Sequence, residues 1–189
     1  MSKPKIMVLL GSTRQNRMGE KILGWVKDQL VDNSEAEFEF VDLRDWKLDY
    51  YNEPTGASYI ETYTDPKAKE WSEKVAQFDG YLLLTPEYNH GYPAVLKNAL
   101  DLTYRSWNNK PVGFVSWGVA MGARAVEQLR LVAIELQMAP IREGVHIAAF
   151  SGGVDENGRP TDDHIKKFQR MVKQLLWWTH ALIAARAQK

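Results

Sequence analysis

The stretch that decides the fold is KIMVLLGSTRQNRMG, residues 5–19. Lys5–Leu10 is a short apolar run ending in Gly11, the pattern of a strand buried on both faces. A polar loop carries the chain to Gly19. From there Gly19–Val31 sets Ile22, Leu23, Val26 and Leu30 at helical spacing.

The same alternation continues along the chain. Strands are expected at Glu37–Asp42, Gly80–Thr85 (closed by Pro86), Pro111–Ser116 and Val145–Phe150. Helices are expected at Pro66–Phe78, Pro93–Tyr104, Met121–Met138 and Asp162–Arg186. Five strands alternating with five helices imply an α/β fold: a mostly parallel sheet with helices on both faces. Ligands of such sheets sit beyond the carboxyl ends of the strands, where strand order reverses. That directs attention to the loops after strands one, three and four. Residues 43–65 break the rhythm, since βα loops usually run about 2–6 residues. This segment holds Trp46, Tyr50, Tyr51, Tyr59 and Tyr63, too aromatic for disorder. It is expected to pack over a partner subunit or to rim the site. Gly152–Pro160 reads as a turn-rich surface loop without chemistry.

The chain's 189 residues fit one domain, 1–189. There is no cysteine, which removes thiol nucleophiles, disulfides and cysteine-held metals. Redox chemistry would need a bound cofactor. His146, His164 and His180 lack metal-ligand spacing, so no metal is expected. Lys+Arg and Asp+Glu are equal at 24 each, which gives no electrostatic case for nucleic acid or acidic membrane. Ile6–Leu10 is five residues long, short of the ~7–15 of a secretory core and the ~20 of a membrane span. A cytoplasmic address is expected. Of seven tryptophans, Trp25, Trp71, Trp177 and Trp178 sit in amphipathic segments, as core or as subunit interface.

Three loops carry candidate chemistry. In Gly11-Ser-Thr-Arg-Gln-Asn-Arg-Met-Gly19, a helix N-terminus offers unpaired amides and positive partial charge. Ser12 and Thr13 add hydroxyls, Arg14 and Arg17 add charge, and Gly11 and Gly19 permit close approach to a ligand. The alternative is an ordinary turn with solvated arginines. In Thr85-Pro-Glu-Tyr-Asn-His-Gly-Tyr-Pro93, Tyr88 offers a flat face and the Glu87–Asn89 backbone suits a heterocycle edge. The alternative is an elaborate turn with Tyr88 and Tyr92 packed as core. His90 lacks a nucleophile beside it and reads as structural or substrate-edge. Ser116-Trp-Gly118 borders the same crevice, its glycine serving either ligand or turn.

GSTRQNR followed by a helix, then TPEYNHGYPAVLKNALD, resembles the NADPH-dependent FMN reductase family, the flavodoxin-like quinone, azo-dye and chromate reductases. The resemblance runs from about Lys3 to the fourth helix, and WSEKVAQFDG and KPVGFVSWG fit it. It implies a flavodoxin-like three-layer sandwich and tightly bound FMN. The flavin N5 does the chemistry, with no catalytic side chain required. Hydride comes from NADPH (or NADH), and a quinone, azo compound, flavin or similar small-molecule acceptor takes the electrons in a ping-pong cycle. By resemblance Ser12, Arg14, Arg17, Met18 and Gly19 match the phosphate loop, and Gly11, Thr13 and Asn16 of the same loop are expected to bind with them. The ring loop supplies Pro86, Glu87, Tyr88 and Asn89, and the third contact is Ser116, Trp117 and Gly118. Trp117 departs from the smaller or different aromatic residue expected there, which bears on substrate preference. Members are usually homodimers or homotetramers. Rival readings are a flavodoxin-type electron carrier, a reductase using free flavin as substrate, and a non-enzymatic sensor or scaffold.

Overall fold

A computed structural model describes residues 3–188. The element order is β1 (Lys5–Leu10), α1 (Met18–Leu30), β2 (Glu37–Asp42), α2 (Pro66–Ala76), β3 (Gly80–Pro86), α3 (Ala94–Asp101), β4 (Pro111–Gly118), α4 (Ala123–Glu135), β5 (Ala139–Ala148) and α5 (Asp162–Arg186). Short 3-10 turns fall at Ala57–Tyr59 and Arg105–Trp107. All strand pairs are parallel, in the order β2-β1-β3-β4-β5, which is the flavodoxin-like sandwich. Order reverses between β1 and β3, so the loops after these two strands flank the switch point.

The pleat explains the two cores. Met7 and Leu9 of β1 face one side, with Trp71, Val75, Leu96, Trp107, Val126 and Leu129 from α2, α3, the following 3-10 turn and α4. Ile6, Val8 and Leu10 face the other, with Ile22, Trp25, Val26, Phe168 and Met171 from α1 and α5. Burial on both faces is why the inner strands β1, β3 and β4 are near-continuously apolar rather than alternating. Trp25 and Trp71 are core, whereas Trp177 and Trp178 form an exposed edge-to-face pair on α5.

Several expected boundaries move, each for a local reason. β5 spans Ala139–Ala148, not Val145–Phe150. It lies at the sheet's outer edge, where Pro140 is tolerated because a missing amide faces no partner. α4 starts at Ala123 rather than Met121, because Met121 and Gly122 hold left-handed φ of 59° and 72°. Left-handed Gln137 (φ 54°) closes the chain turn after α4. α3 ends at Asp101 instead of Tyr104, and its last carbonyls are met by indoles. Trp71 Nε1 donates to Ala99 O (2.7 Å) and Trp107 Nε1 to Leu100 O (3.2 Å).

The 43–65 segment is ordered and packs on its own chain. Trp46 meets Trp71 edge-to-face at 4.9 Å. Tyr51 N donates to Asn98 Oδ1 (3.0 Å), and Asn98 Nδ2 donates to Asp49 O (2.9 Å), tying the segment to α3. Glu53 accepts from the Thr64 and Asp65 amides, closing the loop on itself. Among the described residues no helix is long and apolar enough to cross a membrane.

Candidate active site

Beyond the carboxyl ends of the strands, a crevice is lined by Ser12, Arg14, Arg17 and Met18, by Pro86, Glu87 and Tyr88, by Trp117 and Gly118, and by Phe150. Three of its four walls are the loops singled out in the sequence. The first two are joined at the switch point, where Ser12 Oγ and the Tyr88 hydroxyl lie 2.8 Å apart.

The first loop is shaped by a buried arginine. Arg17 is 5% exposed, and its guanidinium forks onto Asp42 at the end of β2 (Nη1 to Oδ1, 2.9 Å) and also bonds the Ser12 carbonyl. Its Nε lies 3.5 Å from Glu20 Oε1, in ion-pair reach but without a hydrogen bond. Arg44 adds a second brace, donating to Arg14 O (2.7 Å) and pairing with Glu20 (2.7 Å). No side chain caps α1, and of its first-turn amides Glu20 N turns back to Arg17 O (3.3 Å), leaving the others free of a side-chain cap. Arg14 is exposed, 6.0 Å over the Tyr88 ring. The glycines serve packing. A Cβ on Gly11 would sit 2.8 Å from Leu96, and one on Gly19 would sit 2.8 Å from Leu10 and 3.2 Å from Trp117.

In the second loop Tyr88 and Gly91 exchange backbone hydrogen bonds of 2.8 and 3.0 Å. The central pair, Asn89 (φ 49°) and His90 (φ 73°), is left-handed at both positions, as a type I′ turn requires. Gln128 of α4 donates to His90 O (2.9 Å) and holds the turn in place. Glu87 N donates to Trp117 O (3.0 Å), so the second and third loops share a backbone bond. The Glu87 side chain is 4% exposed and ion-paired with Arg124. Tyr92 is half-buried, and burial pushes its phenol up to about 12.

The third loop is fixed by Ser116. Its hydroxyl donates to Met121 O (2.8 Å), so His146 Nδ1, 2.7 Å away, must donate to it. Burial, with Arg130 and Lys167 adding to it, holds His146 below the usual imidazole range, so the ring is neutral at pH 7.

Of the residues expected in the site, Gly11, Asn16, Gly19, Asn89 and Ser116 are not among the crevice lining. Thr13 faces a neighbouring depression with Trp46, Leu48 and Tyr50, so the 43–65 segment adjoins the phosphate loop from outside. Sequence reasoning missed Phe150, Asp42 and Arg44. Phe150 fell in an expected strand, and Asp42 meets Arg17 only through the β1–β2 register, Leu10 opposite Asp42. The rule about carboxyl ends of strands would have found both positions.

Among the described residues, four buried side-chain polar atoms lack a partner: Arg17 Nε, Glu87 Oε2, Arg124 Nε and Trp25 Nε1. Two belong to crevice residues and a third to Glu87's ion-pair partner, although buried polar groups are normally bonded. The crevice suits FMN by charge and shape, with Arg14 and the uncapped start of α1 for a phosphate and the Tyr88 face for a flat ring. Among the described residues no acidic and histidine cluster could hold a metal ion.

Comparison with known proteins places the chain in a family. Residues 4–152 match the family model for NADPH-dependent FMN reductase. An NAD(P)H-dependent FMN reductase of Schizosaccharomyces pombe is 41% identical over 140 residues, covering 72% of this chain and 70% of that protein. A 2-hydroxy-1,4-benzoquinone reductase of a Burkholderia species is 28% identical over 183 residues, 92% and 95% of the two chains. The structure of the NAD(P)H:acceptor oxidoreductase FerB from Paracoccus denitrificans has the same fold, with TM-score 0.74 and 23% identity over 94% of this chain and 98% of that one. The chain belongs to the NADPH-dependent FMN reductase family, and is an oxidoreductase with FMN as cofactor and NAD(P)H as co-substrate.

Proposed function

We propose that FMN lies across this crevice, its phosphate in the Gly11–Gly19 loop and its ring against Pro86–Asn89 and Ser116–Gly118. The observation that carries this reading is the 2.8 Å contact between Ser12 and Tyr88, which makes an anion-binding loop and an aromatic loop one site. When bound, FMN supplies two-electron chemistry, accepting hydride from NAD(P)H and passing electrons to a quinone, azo compound, flavin or similar acceptor in ping-pong order.

The chain's own residues bind and orient. Arg14 and the α1 amides neutralise phosphate charge, and Arg17 holds the loop open by gripping Asp42 and the Ser12 carbonyl. Tyr88, tethered at its hydroxyl, keeps its ring at a fixed tilt. Trp117, 4% exposed, walls the crevice off from water. Glu87, Tyr88 and Gly91 spend their amides on Trp117 and on the turn itself, so among the loop's backbone donors those of Asn89 and His90 would be the ones left to meet a ring. No acid–base side chain is needed. NADPH is the preferred donor by family likeness.

Assembly as a homodimer or homotetramer is part of this reading. It is supported by Leu131 and Ile134, exposed together on α4. A single domain over 1–189 and a cytoplasmic address also belong to this reading. The test is steady-state turnover of the holo-protein with NADPH and NADH, each against a quinone, a free flavin and oxygen. Quinone turnover by a protein that stays yellow through dialysis is expected. Absence of NAD(P)H oxidation would favour an electron carrier, loss of colour a free-flavin reductase, and no turnover with any acceptor a sensor or scaffold.

A further inference from the structure

Phe150 is the one crevice residue that comes from the β5–α5 loop, a segment with no chemistry apparent in its sequence. It is a large apolar side chain left 72% exposed. A single exposed aromatic is ordinary. An exposed aromatic on the rim of a crevice, beside Pro86, Trp117 and Gly118, is placed where a flat ligand would cover it.

The loop holds this ring in a defined position. After a shift between Val112 and Phe114, β4 and β5 run in register to their ends, Gly118 opposite Ala148. Directly after that, the amides of Ser151 (3.2 Å) and Gly153 (3.0 Å) both converge on the Ala148 carbonyl. The chain therefore turns sharply with Phe150 at the turn. Further on, Val154 bridges Pro160, and Asp155 Oδ1 accepts from the amides of Asn157 (2.9 Å) and Arg159 (2.8 Å). Arg159 pairs with Asp28 of α1 at 3.0 Å. The far end is tied by His164, whose ring meets Thr161 Oγ1 at 3.0 Å. Both ends of the loop are thus fastened to β5, α5 and α1.

We propose that Phe150 forms a fourth wall of the FMN site and packs against the flavin ring system, an inference that rests on the FMN reading above. An apolar ring contributes nothing to a phosphate, whereas burial against an aromatic heterocycle adds dispersion and apolar contact. Phe150 therefore selects for the flat ring itself, and its contribution is the same whether or not the ligand carries a phosphate.

The test is titration of the apoprotein with FMN and with riboflavin, following flavin fluorescence. Phe150→Ala is expected to raise both dissociation constants by the same factor, about three- to tenfold. Phe150→Tyr is expected to restore them. Because Phe150 is exposed, thermal unfolding of the apoprotein should be unchanged in both variants, which separates lost contact from lost fold. Unchanged affinity for both ligands overturns the proposal, and so does a loss confined to FMN. If the unmodified apoprotein binds neither flavin, the FMN reading itself fails and takes this inference with it.

Discussion

Arg17 spends its guanidinium on Asp42 and the Ser12 carbonyl, while Arg14, three residues earlier, reaches only the Tyr88 face and solvent. Two arginines of one loop thus have separable effects. Arg14→Ala is expected to weaken FMN binding by roughly 1.5–3 kcal/mol, as for a hydrogen bond to a charged group, and to leave riboflavin binding and apoprotein stability alone. Asp42→Ala is expected to cost the apoprotein about 2 kcal/mol in urea unfolding. It strands a buried guanidinium, with the penalty moderated because Asp42 itself is 22% exposed. The presence of cationic side chains beside a helix start was legible in GSTRQNR. Their division of labour was not, because Arg17's partner lies 25 residues on and arrives through sheet register.

Among the elements, the Tyr88–Gly91 turn stores a conformational cost. Its His90 holds φ 73° without being glycine. His90→Gly is expected to stabilise the fold by about 1 kcal/mol and His90→Val to destabilise it by a similar amount, both read from denaturant midpoints. Strand and helix identities were legible throughout, since short unbroken apolar runs, the alternation of β2 and a 3.6-residue period each reflect burial directly. Boundaries were less so. The Met121–Gly122 and Gln137 backbone conformations, and the indole bonds that end α3, depend on tertiary partners that no local pattern announces. The aromatics of the 43–65 segment pointed to packing, over a partner or at the rim of the site. Its attachment through Asn98 and Trp71 needed the packed molecule.

Across the whole molecule, the crevice occupies one end of the sheet and a caged lysine the other. Lys110, beside the start of β4, donates to Ser106 O (2.8 Å), the Tyr81 hydroxyl (3.1 Å) and Ala76 O (3.2 Å). Burial, with Arg186 adding to it, lowers its pKa from 10.5 to about 8. Between those values the unfolded chain binds more protons than the folded one, so stability rises with pH. Buried Tyr81 and Tyr92, whose pKa values are raised, reverse the trend above about pH 10. Urea unfolding should therefore show stability climbing from pH 8 to about 10, and Lys110→Met should flatten that slope.

The outer strands of the same sheet have a consequence for life at high concentration. An open sheet leaves a row of unpaired amides and carbonyls on each side, a template for strands of other molecules. β2 meets that hazard with exposed Glu37 and Glu39, and β5 with Pro140 and the exposed charge of Arg142. A second chain laid along either side meets charge or a missing donor, so the flanks resist the stacking that begins a fibril.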